Sequence, residues 1–145
     1  MAVNRRTIGA SPESVFRVLG NGWLFPVWVV GASRMRDVDE QWPAVGARIH
    51  HSVGAWPALI DDYTELIEWD PPRRAAMRAR LWPIGEARVE LDVEPAEGGC
   101  AVTMTETPTS GPFAMAPRPA VNVSIRMRNV ETLNRLAYLA EGHAD

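Results

Sequence analysis

The chain has 145 residues, 46% hydrophobic and 23% charged, a composition suited to one domain with one sizeable core rather than to disorder. Arginine supplies all 15 basic residues against 18 acidic ones, and the net charge of −3 leaves no positive excess for a phosphate backbone or an anionic bilayer. The absence of lysine removes Schiff-base chemistry and the P-loop, and a single cysteine, Cys100, removes an internal disulfide or a multi-cysteine zinc site.

Arg5 and Arg6 are followed by no apolar stretch of signal-peptide length, and the longest apolar run, Trp23–Val30, is interrupted by Pro26 and too short for a bilayer. A cytoplasmic protein without membrane insertion is expected. Ala2–Gly9 reads as a first strand. Ser11-Pro12-Glu13 opens a helix with an N-cap, a proline at the first helical position and an acid in the first turn. Val15, Val18 and Leu19 give that helix one apolar face, and Gly20 or Gly22 ends it. Trp23–Trp28 predicts a second short helix bent at Pro26.

From Ser33 the texture turns to strands. Ala47–Ala55, Ala58–Trp69 and Ala75–Trp82 are rich in β-formers, separated by turns at Asp70–Arg73 and Pro83–Gly85. Glu86–Val93 alternates cleanly between apolar and charged residues, which predicts a half-buried antiparallel strand. Glu97-Gly98-Gly99 turns the chain into Ala101–Thr107. Thr107–Pro119, with its prolines, reads as loop, and a long helix follows over Val121–Glu141. Val123, Val130, Leu133, Ala137 and Ala140 are expected on its buried stripe. The element order predicts a single α+β domain over 1–145, an antiparallel sheet covered by one long helix, with room between them for a ligand.

These residues bring in a resemblance. A-S-P-E-S-V-F at Ala10–Phe16, the paired tryptophans of Trp23–Trp28, E-W-D-P-P-R-R at Glu68–Arg74, E-G-G-C-A-V-T-M-T-E at Glu97–Glu106 and R-N-V-E-T-L-N-R-L in the last helix run in family order. The chain resembles the helix-grip proteins of the START and Bet v 1-like superfamily (SRPBCC), particularly their polyketide cyclase/dehydrase branch. The resemblance implies a curved sheet of about seven strands wrapped around the C-terminal helix, two short helices after the first strand, and an apolar pocket between. It implies no single function, since members carry lipids, bind hormones or cyclise polyketides.

Strand parity then selects inward-facing side chains. They are Ile49, His51 and Val53; Ile60, Asp62, Thr64 and Leu66; Met77, Ala79 and Leu81; Ala87, Val89 and Leu91; and Val102, Met104 and Glu106. Arg126 falls on the predicted helix stripe. His51, Asp62 and Glu106 are candidate catalytic residues, and these three with Arg126 are candidate polar contacts; an alternative makes Arg126 and Glu106 a structural bridge. Trp23, Phe25, Trp28, Ile49, Thr64, Met77, Leu81, Val89, Leu91, Met104, Val130 and Leu133 complete the expected wall. Trp42 and Trp56 precede prolines in apparent loops, while Trp69 and Trp82 sit at strand ends.

His50 and His51 point to opposite faces and cannot share one ion, so no metal and no cofactor is expected. No G-x-S-x-G elbow or G-x-G-x-x-G supports a hydrolase or a dinucleotide site. The expected partner is a small hydrophobic or aromatic molecule, with no nucleic acid, in a monomer or homodimer. The alternatives are a polyketide cyclase, aromatase or dehydratase using an acid/base pair in the same cavity, and a protein-interaction module using the groove.

Overall fold

The computed structural model describes residues 1–53, 60–81 and 85–142, apart from the side chains of Ser33, Val53, Leu81 and Phe113. Trp56 and Trp82, and the chain ends expected for the strands at Ala55, Ala58 and Trp82, lie outside the described residues. Strand β1 (Ala2–Ile8) leads to α1 (Pro12–Leu19), where Ser11 Oγ accepts from the Ser14 amide at 3.1 Å and Val15, Val18 and Leu19 are buried. A single 3₁₀ turn, Gly22–Leu24, precedes the four-residue α2 (Phe25–Trp28), which has Pro26 in its first turn.

Six strands follow as a meander: β2 (Ala32–Val38), β3 (Arg48–Val53), β4 (Ile60–Asp70), β5 (Arg74–Leu81), β6 (Gly85–Ala96) and β7 (Gly99–Ser110). With β1 they form one antiparallel seven-stranded sheet in the order β1-β7-β6-β5-β4-β3-β2. The α+β helix-grip architecture expected from the sequence is therefore present. Alternation decides the faces. Ala87, Val89, Leu91 and Val93 of β6 are buried, and their charged neighbours lie opposite. On that outer face Arg74 donates to Glu68, Glu90 and Asp92 at 2.6–2.8 Å, and Arg48 donates to Glu65 at 3.1 Å, so the arginine-rich strand is laced to acids across the sheet.

Two expectations need correction. Thr107–Pro119 is not a loop throughout: β7 continues to Ser110, pairing Thr107 with Arg88 and Pro108 with Ala87, and α3 (Gly111–Met115) follows. The prolines do not prevent this, because a register shift between the pairs Glu86–Ser110 and Ala87–Pro108 leaves Thr109 as the extra residue of β7, and Pro112 and Pro119 occupy first-turn helix positions. The second correction concerns the rotation of α4 (Arg118–Gly142). Its buried face is Ile125, Asn129, Thr132, Leu133, Leu136, Ala137 and Ala140, while Val123 and Val130 are more than half exposed. Arg126, expected on the buried stripe, is exposed. The helix carries two apolar series, and the sheet receives the one that includes Leu136.

No helix among the described residues is long and apolar enough to cross a membrane. The helix rotation predicts unequal costs on truncation. Leu136→Ala, at a fully buried site, should destabilise by about 2–5 kcal/mol, whereas Val130→Ala should stay within about 0.5 kcal/mol. Urea unfolding midpoints of the two variants check this, and the reverse ranking would mean that the helix presents its other face.

Candidate functional site

Between the concave sheet face, α2 and α4 lies a cavity of about 200 Å³. Strands β3 and β4 contribute His51 and Thr64; β5, β6 and β7 contribute Met77, Ala79, Ala87, Val89, Met104 and Glu106. Phe25 and Trp28 of α2, ring centroids 5.6 Å apart and edge to face, close one side. Arg128, Asn129 and Thr132 of α4 face them across the space. Thr132 Oγ1 accepts from the Val30 amide at 3.3 Å, tying the helix to the segment after α2.

His51 is 3% exposed. Its ring stacks on Phe25, 5.3 Å between centroids and 19° between planes, and Nε2 lies 2.8 Å from Thr64 Oγ1. Burial pushes its pKa down to about 4 against the opposing pull of nearby Asp62, so the ring is neutral at neutral pH. Nδ1 has no hydrogen-bond partner. A neutral imidazole has one N–H, so Nδ1 is an acceptor if Nε2 donates to Thr64 and a donor if Nε2 accepts.

Glu106, also 3% exposed, is held from the helix. Arg128 Nη2 reaches both carboxylate oxygens at 2.5 Å, and Asn129 Nδ2 donates to Oε1 at 3.3 Å. The bridge expected between Arg126 and Glu106 thus exists with a different arginine, two positions further along. Asp62 is buried but does not line the cavity. Its Oδ1 accepts from the Tyr63 amide at 2.9 Å and lies 3.8 Å from Arg80 Nε.

A family model described as polyketide cyclase / dehydrase and lipid transport matches residues 2–141. The chain belongs to this family. No curated protein matches it in sequence. Among solved structures, a Rhodobacter sphaeroides protein is 24% identical with a TM-score of 0.73, covering 97% of this chain and 91% of that one. The di-domain ARO/CYC StfQ of the steffimycin biosynthetic pathway is 10% identical with a TM-score of 0.76, over 98% of this chain and 50% of StfQ. Ara h 8.0201 is 12% identical with a TM-score of 0.75, over 97% and 96%. At these identities the likeness is one of fold, the Bet v 1-like helix-grip fold of this family.

Of the residues expected on the wall, Phe25, Trp28, His51, Thr64, Met77, Val89, Met104 and Glu106 line the cavity. Ile49, Leu91 and Leu133 are buried in the core beside it. Trp23 is 57% exposed and lies away from it, as do the exposed Arg126 and Val130. The side chain of Leu81 lies outside the described residues. Parity on the strands missed nothing polar that faces the cavity from β3, β4 or β7, but the helix contributes Arg128, Asn129 and Thr132, none of which was expected. The signal for them was the alternative series from Ile125 through Leu136 to Ala140, on which Asn129 and Thr132 fall. Trp69 packs edge to face on Phe16 at 5.1 Å, and Trp42 Nε1 donates to the Leu19 carbonyl at 3.1 Å, so both brace α1.

Two predictions follow from these polar groups. His51 titrates near 4 in the fold and near 6.5 when unfolded, so the unfolded chain binds more protons between these values and stability rises with pH there. The His51 contribution is complete above about pH 6.5 and lost towards pH 4, by at most about 3 kcal/mol. Unfolding free energies of wild type and His51→Asn across this window should differ in slope, wild type being steeper; parallel profiles would refute a buried neutral His51. Arg128→Ala leaves Glu106 buried with Asn129 alone and should cost about 1–3 kcal/mol. Adding Glu106→Gln should restore part of that loss in thermal melts, and no recovery would show that the pair is not what holds the site.

Proposed function

We propose that this chain binds a small hydrophobic or aromatic molecule in the cavity between the sheet and α4. The observation that carries the reading is the wall itself: a largely apolar lining around about 200 Å³ into which a few buried polar side chains are built. That combination, an apolar lining for affinity with a few polar groups for orientation, is the general form of a small-molecule site. Membership of a family described by polyketide cyclisation and lipid transport agrees with it.

A cyclase or dehydratase working by acid/base chemistry needs two groups free to exchange protons with the substrate. Glu106 already accepts from Arg128 through both oxygens and from Asn129, and Glu86, the other carboxylate on the wall among the described residues, lies 3.8 Å from Arg80 Nε, so each carboxylate that shares the cavity with His51 is already matched by an arginine. The candidate Asp62 does not line it. These arrangements favour binding over turnover.

The test is native mass spectrometry of freshly purified protein for a co-purifying small molecule, followed by titration of the intrinsic tryptophan fluorescence, to which Trp28 on the cavity wall contributes, with ring compounds and acyl chains. Ala87 lines the cavity from β6 and is 5% exposed, so Ala87→Phe places a ring in the space. Ligand affinity should fall at least about tenfold while the circular dichroism spectrum is retained. Undiminished binding by a folded Ala87→Phe variant would put the ligand elsewhere and overturn the reading.

A further inference from the structure

The outward face of α4 carries the apolar series that the sheet leaves over. Val123, Met127 and Val130 recur at i, i+4 and i+7, on the side of the helix opposite the buried Asn129, Thr132 and Leu136. All three are more than half exposed, Met127 at 71%. Single exposed apolar side chains are ordinary, but a stripe of them on one face marks a contact surface.

The charge around that stripe is of one sign. From Thr107 to Val130 the chain carries three arginines, Arg118, Arg126 and Arg128, and no acidic residue. The exposed side chains of Arg118 and Arg126 make no hydrogen bond or ion pair among the described residues. Arg128 meets Glu106 through Nη2 alone and keeps 40% of its side chain exposed. The N-terminal end of a helix this long is itself positive. Beyond Val130 the charges are matched instead: Arg135 donates to Glu131 at 3.1 Å, and Glu141 accepts from the Gly9 amide at 3.0 Å. The net charge of −3 averages over this contrast, so it excludes an anionic surface for the chain as a whole and not for this stretch.

Apolar and cationic groups on one stretch of helix specify what covers it. A second copy of the chain would set this positive stretch against itself, because a two-fold contact uses the same patch twice. An anionic bilayer offers both complements: an apolar boundary for the stripe, and phosphates that arginines reach while their stems lie along apolar surface. Arg128 also lines the cavity, so a bilayer against the first half of α4 adjoins the cavity rim. A family described in part by lipid transport agrees with such a position.

We infer that the first half of α4 is a peripheral docking face for an anionic lipid bilayer. Val123, Met127 and Val130 enter the headgroup boundary, and Arg118 and Arg126 supply the attraction to lipid phosphates. The helix lies on the membrane and does not cross it.

The experiment is co-sedimentation of the full chain with phosphatidylcholine vesicles, with and without phosphatidylglycerol. The protein should pellet with the mixed vesicles at low salt. It should stay in solution with phosphatidylcholine alone, and with the mixed vesicles in about 1 M NaCl, where the Debye length is about 3 Å. Arg126→Gln should weaken vesicle binding about fivefold, the scale of one arginine near an anionic surface. Met127→Ser should weaken it about tenfold. Both sites are exposed, so the circular dichroism spectra should be unchanged. Ala87→Phe, which fills the cavity, should leave vesicle binding intact, so this inference and the small-molecule reading fail separately. No pelleting with the mixed vesicles, or equal pelleting with phosphatidylcholine alone, would overturn the inference. Undiminished binding by Met127→Ser, or loss of binding in a folded Ala87→Phe, would do the same. A dimer in sedimentation velocity that Met127→Ser dissociates would give the face to a second copy, and preferential binding of polyglutamate would give it to an acidic protein; either would overturn the bilayer.

Discussion

A carboxylate on the inner face of a sheet cannot be buried alone, and most of the arrangement around it follows from that constraint. Glu106 stands on β7 opposite Ala2 of β1 and Val89 of β6, well inside the fold. Both of its side-chain partners, Arg128 and Asn129, come from α4. Placing those two consecutive residues over β7 determines the rotation of the helix. Leu133, Leu136, Ala137 and Ala140 are then directed inward, and Thr132 is brought to the Val30 amide. The pair is buried on one side only, since the Arg128 side chain is 40% exposed and that of Glu106 is 4% exposed, so the arginine reaches the carboxylate from the rim while keeping part of its charge in water.

The cavity is the complement of that geometry. Large apolar groups fill the space towards α1, where Phe16, Val15, Leu19 and Trp69 join the core. Towards α2 and the middle strands the wall carries hydroxyl, amide, imidazole and carboxylate groups, which cannot collapse onto one another without losing partners. His51 is held in place twice over, by stacking on Phe25 and by its bond to Thr64. Its ring is rigid and neutral, suited to recognising a ligand rather than to carrying a charge.

Strand parity was the most legible feature of the sequence, because a period of two leaves only two choices for each strand. The clean alternation of Glu86–Val93 made that choice unambiguous. Even β4, where Asp62 and Thr64 interrupt the apolar pattern, buries Asp62, Thr64 and Leu66 of the expected set, with Ile60 half-buried at the strand end. Parity could not distinguish a residue lining a cavity from one packed in the core, which is why Ile49 and Leu91 were grouped with Val89 and Met104. The helix was harder. Leu133, Ala137 and Ala140 are buried as hydropathy predicts, but Val123 and Val130 are apolar and exposed while Asn129 and Thr132 are polar and buried, so hydropathy alone misplaces the first half of the stripe. The decisive information was the carboxylate on β7, a long-range partner that no local pattern contains. The prolines after Thr107 misled for a related reason: they exclude helix and strand interiors, but not first turns or strand ends.

The sheet also divides by the distance its pairings span along the chain. From β2 to β7 every strand pairs with its sequence neighbour, so each contact closes a short loop. Strand β1 pairs with β7 instead, Ala2 meeting Glu106, and its far end is tied to the last helix through the Gly9 amide and Glu141. Bringing these ends together must repay the entropy of closing almost the whole chain. The two halves of the ladder therefore differ in kind: a meander of consecutive hairpins, each closing a short loop, and a seam between first strand, last strand and last helix whose closure spans almost the whole chain.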